Sequence, residues 1–453
     1  MQQSNKGFFR AAFLFAAPIA LQNLVSNLLV IVDTALVGRV GEGAIAAVGV
    51  VGQINALLFT CFFGFCSSGT LFFSQYWGVR DMRGIRRAFG LSAWIILAIG
   101  GLFTVAGLLA PGWMVSILTN DAAIQAIAVQ YLRIVCFSFL TQGTIMVLSG
   151  LLRSCENVKI PLFTACAAMV LDTFLSWMLI YGHLGFTALG VRGAAIATVV
   201  SSFCNAGLLV FFALRRVPAV RQALLGLLRV EWGFFGEYIK KSVPIILNEV
   251  LFGLAVTVIY ITFGRQGPAA LEAVSIVRTM EMLLFGFFGG LATAGAVMVG
   301  KSVGAWRLDE ALWQAKRFTA MTAVLSFCVI AILNLLRGPM SLIFGIGPEV
   351  QGHFYAMLIV AMFTLALRTV NYMQVNLYRA GGEAKWGMFL EVGGIWLFSV
   401  PLVALAGFVW DWPFWMVYLC YFADEPVKFC IELPLLLRGK WRKPVTVRPE
   451  GCD

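Results

Sequence analysis

The chain has 453 residues, of which 60% are hydrophobic and only 12% charged, and it carries a net charge of +11 at neutral pH. Soluble domains carry about 25% charged residues, so this composition excludes a water-soluble fold. The basic excess would suit a nucleic-acid partner if it lined one surface, but it is confined to short segments between apolar runs, which excludes that reading.

Runs of roughly 20 apolar residues read as membrane-spanning helices. The first half supplies six, at 11–36, 45–76, 88–110, 123–152, 160–181 and 191–214. The stretches from Ala11 to Val32 and from Ala88 to Asn120 contain no charged residue. A basic, polar segment at 215–235 follows, with Pro218, Arg221 and Arg229, and reads as a short amphipathic linker at the membrane surface. The second half supplies six more spans, at 236–262, 270–300, 314–336, 350–379, 386–408 and 412–436. The expected organisation is therefore an N-terminal lobe over 1–214, the linker over 215–235, a C-terminal lobe over 236–437 and a basic tail over 438–453.

The two halves repeat each other at an offset of 226 residues. Pro18-Ile19 answers Pro244-Ile245, Gly38-Arg39 answers Gly264-Arg265, and Gly78 answers Gly304. Arg153 and Lys159 answer Arg379 and Lys385 at the same offset. An even number of spans per half returns the chain to the same side, so the repeats are expected to be parallel, related by an axis along the membrane normal. The repeat does not extend to the acids: Asp33 falls opposite Ile259, Asp172 opposite Phe398, Glu249 opposite Asn23 and Glu281 opposite Asn55.

Twenty-five of the lysines and arginines fall in the tail and in loops on one side, including the pairs Arg153/Lys159 and Arg379/Lys385, and only four fall on the other. This bias places both termini in the cytoplasm, with the basic loops against anionic headgroups.

Polar side chains within the spans are costly and mark function or pairing. Asp33 on the first span and Asp172 on the fifth have no basic residue within a turn or two, although Arg133 on the fourth could approach in space. A buried carboxyl without a partner exchanges protons near neutral pH, and it can equally shed water around sodium. Ser26 lies two turns before Asp33 on the same face. The seventh span carries Asn248-Glu249, the eighth Arg278 and Glu281, the tenth Arg368, Asn371 and Gln374, and the eleventh Glu391. Arg278 is spaced to pair with Glu281, and Arg368 is a candidate partner for Glu391. On the twelfth, Asp424, Glu425 and Lys428 are spaced to pair with one another. Pro18 removes a backbone hydrogen bond 15 residues before Asp33, about 22 Å along the helix, and permits a bend there.

Ten cysteines without a CxxC pair read as small buried hydrophobes, and two histidines, His183 and His353, lack metal-ligand spacing. There is no Walker loop, no GxSxG and no paired-aspartate metal motif, so neither ATP hydrolysis nor a recognisable hydrolase is supported.

Taken together, these residues resemble the MATE (multidrug and toxic compound extrusion) family, within the superfamily that includes lipid-linked oligosaccharide flippases. The resemblance covers nearly the whole chain. It rests on Pro18, Asp33-Thr34, Gly38-Arg39-Val40-Gly41 and the run Leu189-Gly190-Val191-Arg192-Gly193 through Thr198. In the second half it rests on Pro244 through Glu249, Val299 through Gly304, and Tyr378 through Glu383. It implies an all-α polytopic protein of 12 transmembrane helices, in two six-helix lobes related by a pseudo-two-fold axis and V-shaped around a central cleft. It implies a bacterial inner-membrane efflux transporter that is not an enzyme, exporting amphipathic, cationic drugs or metabolites in exchange for protons or sodium. A flippase for a lipid-linked oligosaccharide or other amphipathic lipid is the alternative. On this likeness the cation-coupling residues are Asp33, Asp172, Thr198 and Glu249, to which the intramembrane Glu281 is added. The cleft would be lined by Ser26, Asn27, Asn248, Arg368, Asn371 and Glu391, with Pro18 as hinge. Where some members carry a tenth-helix aspartate this chain reads Leu367-Arg368-Thr369, and Ala168 stands where many carry an amide, which favours protons over sodium. The expected partners are small amphipathic substrates and membrane lipids, with no nucleic acid, no bound metal, no cofactor beyond the coupling ion, and a monomeric state.

Overall fold

The computed structural model describes residues 5–228, 231–343 and 346–448, which are joined in helices with no strand among the described residues. In the first half these are α1 (Asn5–Gly38), α2 (Glu42–Gly78), α3 (Met82–Leu109), α4 (Pro111–Ser116), α5 (Ala122–Val135), α6 (Ser138–Ser154), α7 (Lys159–Tyr181) and α8 (Val191–Arg216). After α9 (Pro218–Leu224) come α10 (Phe235–Gly264), α11 (Pro268–Gly304), α12 (Leu308–Leu335), α13 (Arg337–Ile343) and α14 (Pro348–Ala380). The chain ends in α15 (Ala384–Gly394), α16 (Val400–Phe408), α17 (Phe414–Cys420) and α18 (Asp424–Arg438), with a π turn at Ile395–Ser399 between α15 and α16.

Ten helices are long and apolar enough to cross a membrane, counting α15 through α16 as one. The eleventh span is the pair α5 and α6, which the sequence predicts as one helix over 123–152 but which bends by 52° at Cys136–Phe137. After α16 the chain continues in α17 and α18. Expected as one helix over 412–436, this stretch breaks at Tyr421–Ala423, and its inner part carries the buried Asp424, Glu425 and Lys428. The protein is thus an all-α, multi-pass membrane protein, with up to eleven apolar spans among the described residues. Large apolar side chains such as Val170 and Leu335, 70% and 82% exposed, are what lipid-facing surfaces carry.

Local chemistry sets several ends. Asp81 caps α3, accepting from the Arg83 and Gly84 backbone N–H groups at 3.0 Å, and Asp121 caps α5 in the same way. Small residues let spans approach: a Cβ on Gly193 of α8 would lie 2.7 Å from the Leu179 carbonyl of α7.

The helices gather into two compact units. One is 21–242; the other joins the stretch up to Ala20 to everything from Val243 onward. These units differ from the two sequence halves by an exchange of helix ends. The start of α1 packs in the second unit, where Phe8 is fully buried against Trp313 and Phe318. The start of α10 packs in the first, where the Tyr238 hydroxyl donates to the Phe65 carbonyl at 2.8 Å and its ring stacks on Phe72. Both changes of unit fall beside a proline, Pro18 in α1 and Pro244 in α10. α1 nevertheless runs through Pro18 without a break.

The segment after α8 packs closely on α3. Ala219, Val220 and Ala223 are buried, the Trp94 indole donates to the Leu227 carbonyl at 2.9 Å, and Arg87 pairs with Glu231 at 2.6 Å. Arg229 lies outside the described residues. The start of the basic tail also folds onto its own unit. Trp441 is buried against Gly381, the Lys443 backbone N–H donates to the Gly381 carbonyl at 2.7 Å, and Thr446 donates to the Gly304 carbonyl at 2.6 Å. The side chains of Arg442 and Lys443 bond to the Leu308 carbonyl and to Glu383.

Candidate functional site

In the first unit the two acids predicted without basic partners meet each other. The Asp33 carboxyl of α1 lies within hydrogen-bonding reach of the Asp172 carboxyl of α7. Asp172 is 1% exposed and accepts a 2.5 Å hydrogen bond from Ser201 Oγ on α8. Asp33 Oδ1 and Asp172 Oδ2 are buried without a hydrogen-bond partner. Tyr131 of α5 and Thr198 of α8 stand beside the pair, and the Thr198 hydroxyl also donates to the Ala194 carbonyl at 3.1 Å. Among the described residues neither carboxyl is in an ion pair, with Arg133 or any other base. Two carboxylates this close repel, so a proton or a cation between their oxygens would relieve the repulsion. Ser26 is turned back to the Gln22 carbonyl at 3.0 Å and does not join this cluster. Tyr131 and Ser201 were not singled out from the sequence, because a tyrosine or serine in an apolar run carries no signal of its own.

The second unit holds a larger charged cluster around a cavity of about 280 Å³. Arg379 Nη2, in the last turn of α14, donates to Glu249 Oε1 of α10 at 2.8 Å and lies 3.7 Å from Glu391 of α15. Asn248 Nδ2 donates to Glu391 Oε2 at 2.6 Å. Arg379 was expected in a cytoplasmic loop; it is instead only 5% exposed and holds two of the predicted acids. Hydropathy reads a charge at a helix end as loop, and here the helix outlasts its apolar run. Arg153 is likewise not a loop residue: in the last turn of α6, it donates to Gln22 Oε1 at 2.8 Å.

Two of the predicted pairings, those of Arg278 and Arg368, change. Arg278 does not pair with Glu281; its guanidinium lies over the Tyr260 ring at 4.8 Å, and Glu281 accepts from the Tyr418 hydroxyl at 3.1 Å. Arg368 does not pair with Glu391. It lies 3.7 Å from Glu425 of α18 and over the rings of Tyr421, Phe422, Phe252 and Phe285. Asn371 Nδ2 donates to Glu425 Oε2 at 2.8 Å. Lys428 meets Asp424 at 2.8 Å and Glu425 at 3.0 Å, as their spacing predicts. Asp424 further accepts from Ser399 Oγ, which the π turn presents, at 2.8 Å.

The apolar spans, with an acid pair in one unit and a charged cavity in the other, are the architecture of a polytopic membrane protein. Comparison with known proteins agrees. The family described as MatE matches residues 18–178 and 244–405, stretches that begin 226 residues apart, and the chain belongs to that family of membrane transporters. A Thermotoga maritima protein named "Probable multidrug resistance protein NorM" is 22% identical over 96% of this chain and 93% of its own length. A Rhizobium meliloti protein of the same name is 28% identical over 65% of this chain and 63% of its own length. Among solved structures, a MOP superfamily transporter from Pyrococcus furiosus superposes with a TM-score of 0.85 at 16% identity, covering 98% of this chain and all of that one. The Vibrio cholerae MATE transporter VcmN gives a TM-score of 0.85 at 16% identity over 96% of this chain and 97% of its own.

Proposed function

We propose that the chain exports amphipathic, cationic organic compounds in exchange for protons, working by alternating access in a bacterial inner membrane with both termini in the cytoplasm. The names of the multidrug resistance relatives support the substrate class, and the bias of basic residues supports the orientation. The observation that carries the coupling is the Asp33–Asp172 pair, two adjoining carboxyls without a basic partner among the described residues. In the ionised state Asp33 attracts a cationic substrate from the inside. A proton arriving from the outside then occupies the pair, removes the attraction and releases the substrate. One unit of pH difference supplies about 1.4 kcal/mol per proton, and each net charge moved adds about 2.3 kcal/mol per 100 mV. Pro18, where α1 changes units, is the hinge of this reading.

The test is cationic-dye transport by the purified protein in liposomes, with pH and sodium gradients imposed separately. Flux driven by the pH gradient in sodium-free buffer is expected. Flux that needs a sodium gradient and ignores pH contradicts proton exchange, and no flux of any cationic dye contradicts the substrate class.

A further inference from the structure

The cavity of the second unit has one charged wall residue, among the described residues, that none of the pairs above includes. Glu432, one turn beyond Lys428 on α18, is fully buried, and both of its carboxyl oxygens lack a hydrogen-bond partner. Its neighbours are engaged elsewhere. The Tyr378 hydroxyl of α14 donates to the Glu432 backbone carbonyl at 2.5 Å, not to the carboxyl. Lys428 is held by Asp424 and Glu425. Arg379 of α14 is held by Glu249 of α10 and Glu391 of α15, and Arg368 of α14 is turned to Glu425 and its aromatic rings. α12 packs on α18 but contributes no charged side chain to the cavity wall.

The charges around the cavity do not balance. Among the described residues, the carboxyls of Glu249, Glu391, Asp424, Glu425 and Glu432 face only three bases, Arg368, Arg379 and Lys428. A bare carboxylate out of water, with no donor, costs several kcal/mol, so a counter-charge is required. A metal ion does not fit: among the described residues no three His, Cys, Asp or Glu side chains converge on one point, and Lys428 and Arg368 stand in the same wall. A cavity of about 280 Å³ has room for several waters at about 30 Å³ each, which a proton can cross to reach the carboxyl.

We propose that this cavity is a proton-binding site of the second unit, with Glu432 the carboxyl that carries the proton and hands it to cavity water. Its place in a transport cycle rests on the exchange reading above; the proton site itself does not.

Infrared difference spectroscopy of the purified protein tests it without any transport. The unmodified protein should show the carbonyl band of a protonated, apolar-site carboxyl at neutral pH, shifting in heavy water. Glu432→Gln should lose that band, and Asp33→Asn should keep it. A correctly folded Glu432→Gln protein that retains the band overturns the proposal. So does a band abolished by sodium together with radioactive-sodium binding that Glu432→Gln removes. Should Glu432→Gln fail to fold, Glu432→Asp keeps the carboxyl and must move the band; an unmoved band overturns the assignment equally.

Discussion

Arg379 Nη2 donates to Glu249 Oε1 at 2.8 Å, tying the end of α14 to α10 five residues beyond Pro244. Arg153, 226 residues earlier, makes the matching 2.8 Å bond to Gln22, four residues beyond Pro18. The duplicated arginine has kept its task of bracing the span just after the proline. Its partners lie at neighbouring, not equivalent, positions of the repeat: Gln22 answers Asn248 and Glu249 answers Asn23, so one brace meets an amide and the other a carboxylate.

The two braces should therefore differ in strength. Arg379→Met leaves the Glu249 and Glu391 carboxylates without their shared cation, and breaking a buried pair from one side costs about 3–5 kcal/mol. Arg153→Met removes one bond to a neutral amide, worth about 1 kcal/mol. Thermal denaturation in detergent should show a much larger fall for Arg379→Met. Equal falls would mean that the charge on Glu249 contributes nothing.

Much of the fold was legible in the sequence, because membrane spans are read from hydropathy and the repeat from a constant offset. What could not be read is which groups meet across the bundle. Asp33 and Asp172 were seen as acids lacking a base, and nothing in their local sequence says that each is the other's neighbour. Arg379 was misread as a loop residue because its charge ends the apolar run before the helix ends. The break before Asp424 was missed because hydropathy does not register a turn within an apolar stretch. The exchange of helix ends at Pro18 and Pro244 is a property of packing, which neither composition nor the repeat encodes.

Gly290 of α11 lies close against α1: a Cβ there would lie 2.4 Å from Ala20 Cα. Gly290→Leu should force α1 away, at a cost of about 1–3 kcal/mol for overpacking. The melting temperature in detergent should fall, whereas Gly253→Leu, with open space around it, should leave it unchanged. An unchanged melting temperature for Gly290→Leu would refute this packing.

Trp441 plugs the turn at Gly381 and is 2% exposed. Trp441→Ala should free the start of the tail, removing about 3–5 kcal/mol of packing. Hydrogen–deuterium exchange should then quicken at 380–384 and 304–309, the two turns the tail bridges. Exchange confined to the tail itself would show that the turns do not depend on it.

Burial pushes the Cys155 thiol, at the end of α6, up to about 12. At pH 8 the reactive thiolate is then about one part in ten thousand. A water-soluble maleimide should leave Cys155 unmodified at pH 8 by mass spectrometry, with labelling rising about tenfold per pH unit above it. Rapid labelling at pH 7 would contradict the burial.

The most direct test of proton exchange through the Asp33–Asp172 pair is pH-gradient-driven dye flux in sodium-free proteoliposomes, comparing the unmodified protein with Asp33→Asn. The expected result is a fall of at least about tenfold in accumulated dye, the amount that one pH unit supplies per proton, with the protein still folded and inserted. Flux that remains at the unmodified level in Asp33→Asn would contradict the mechanism.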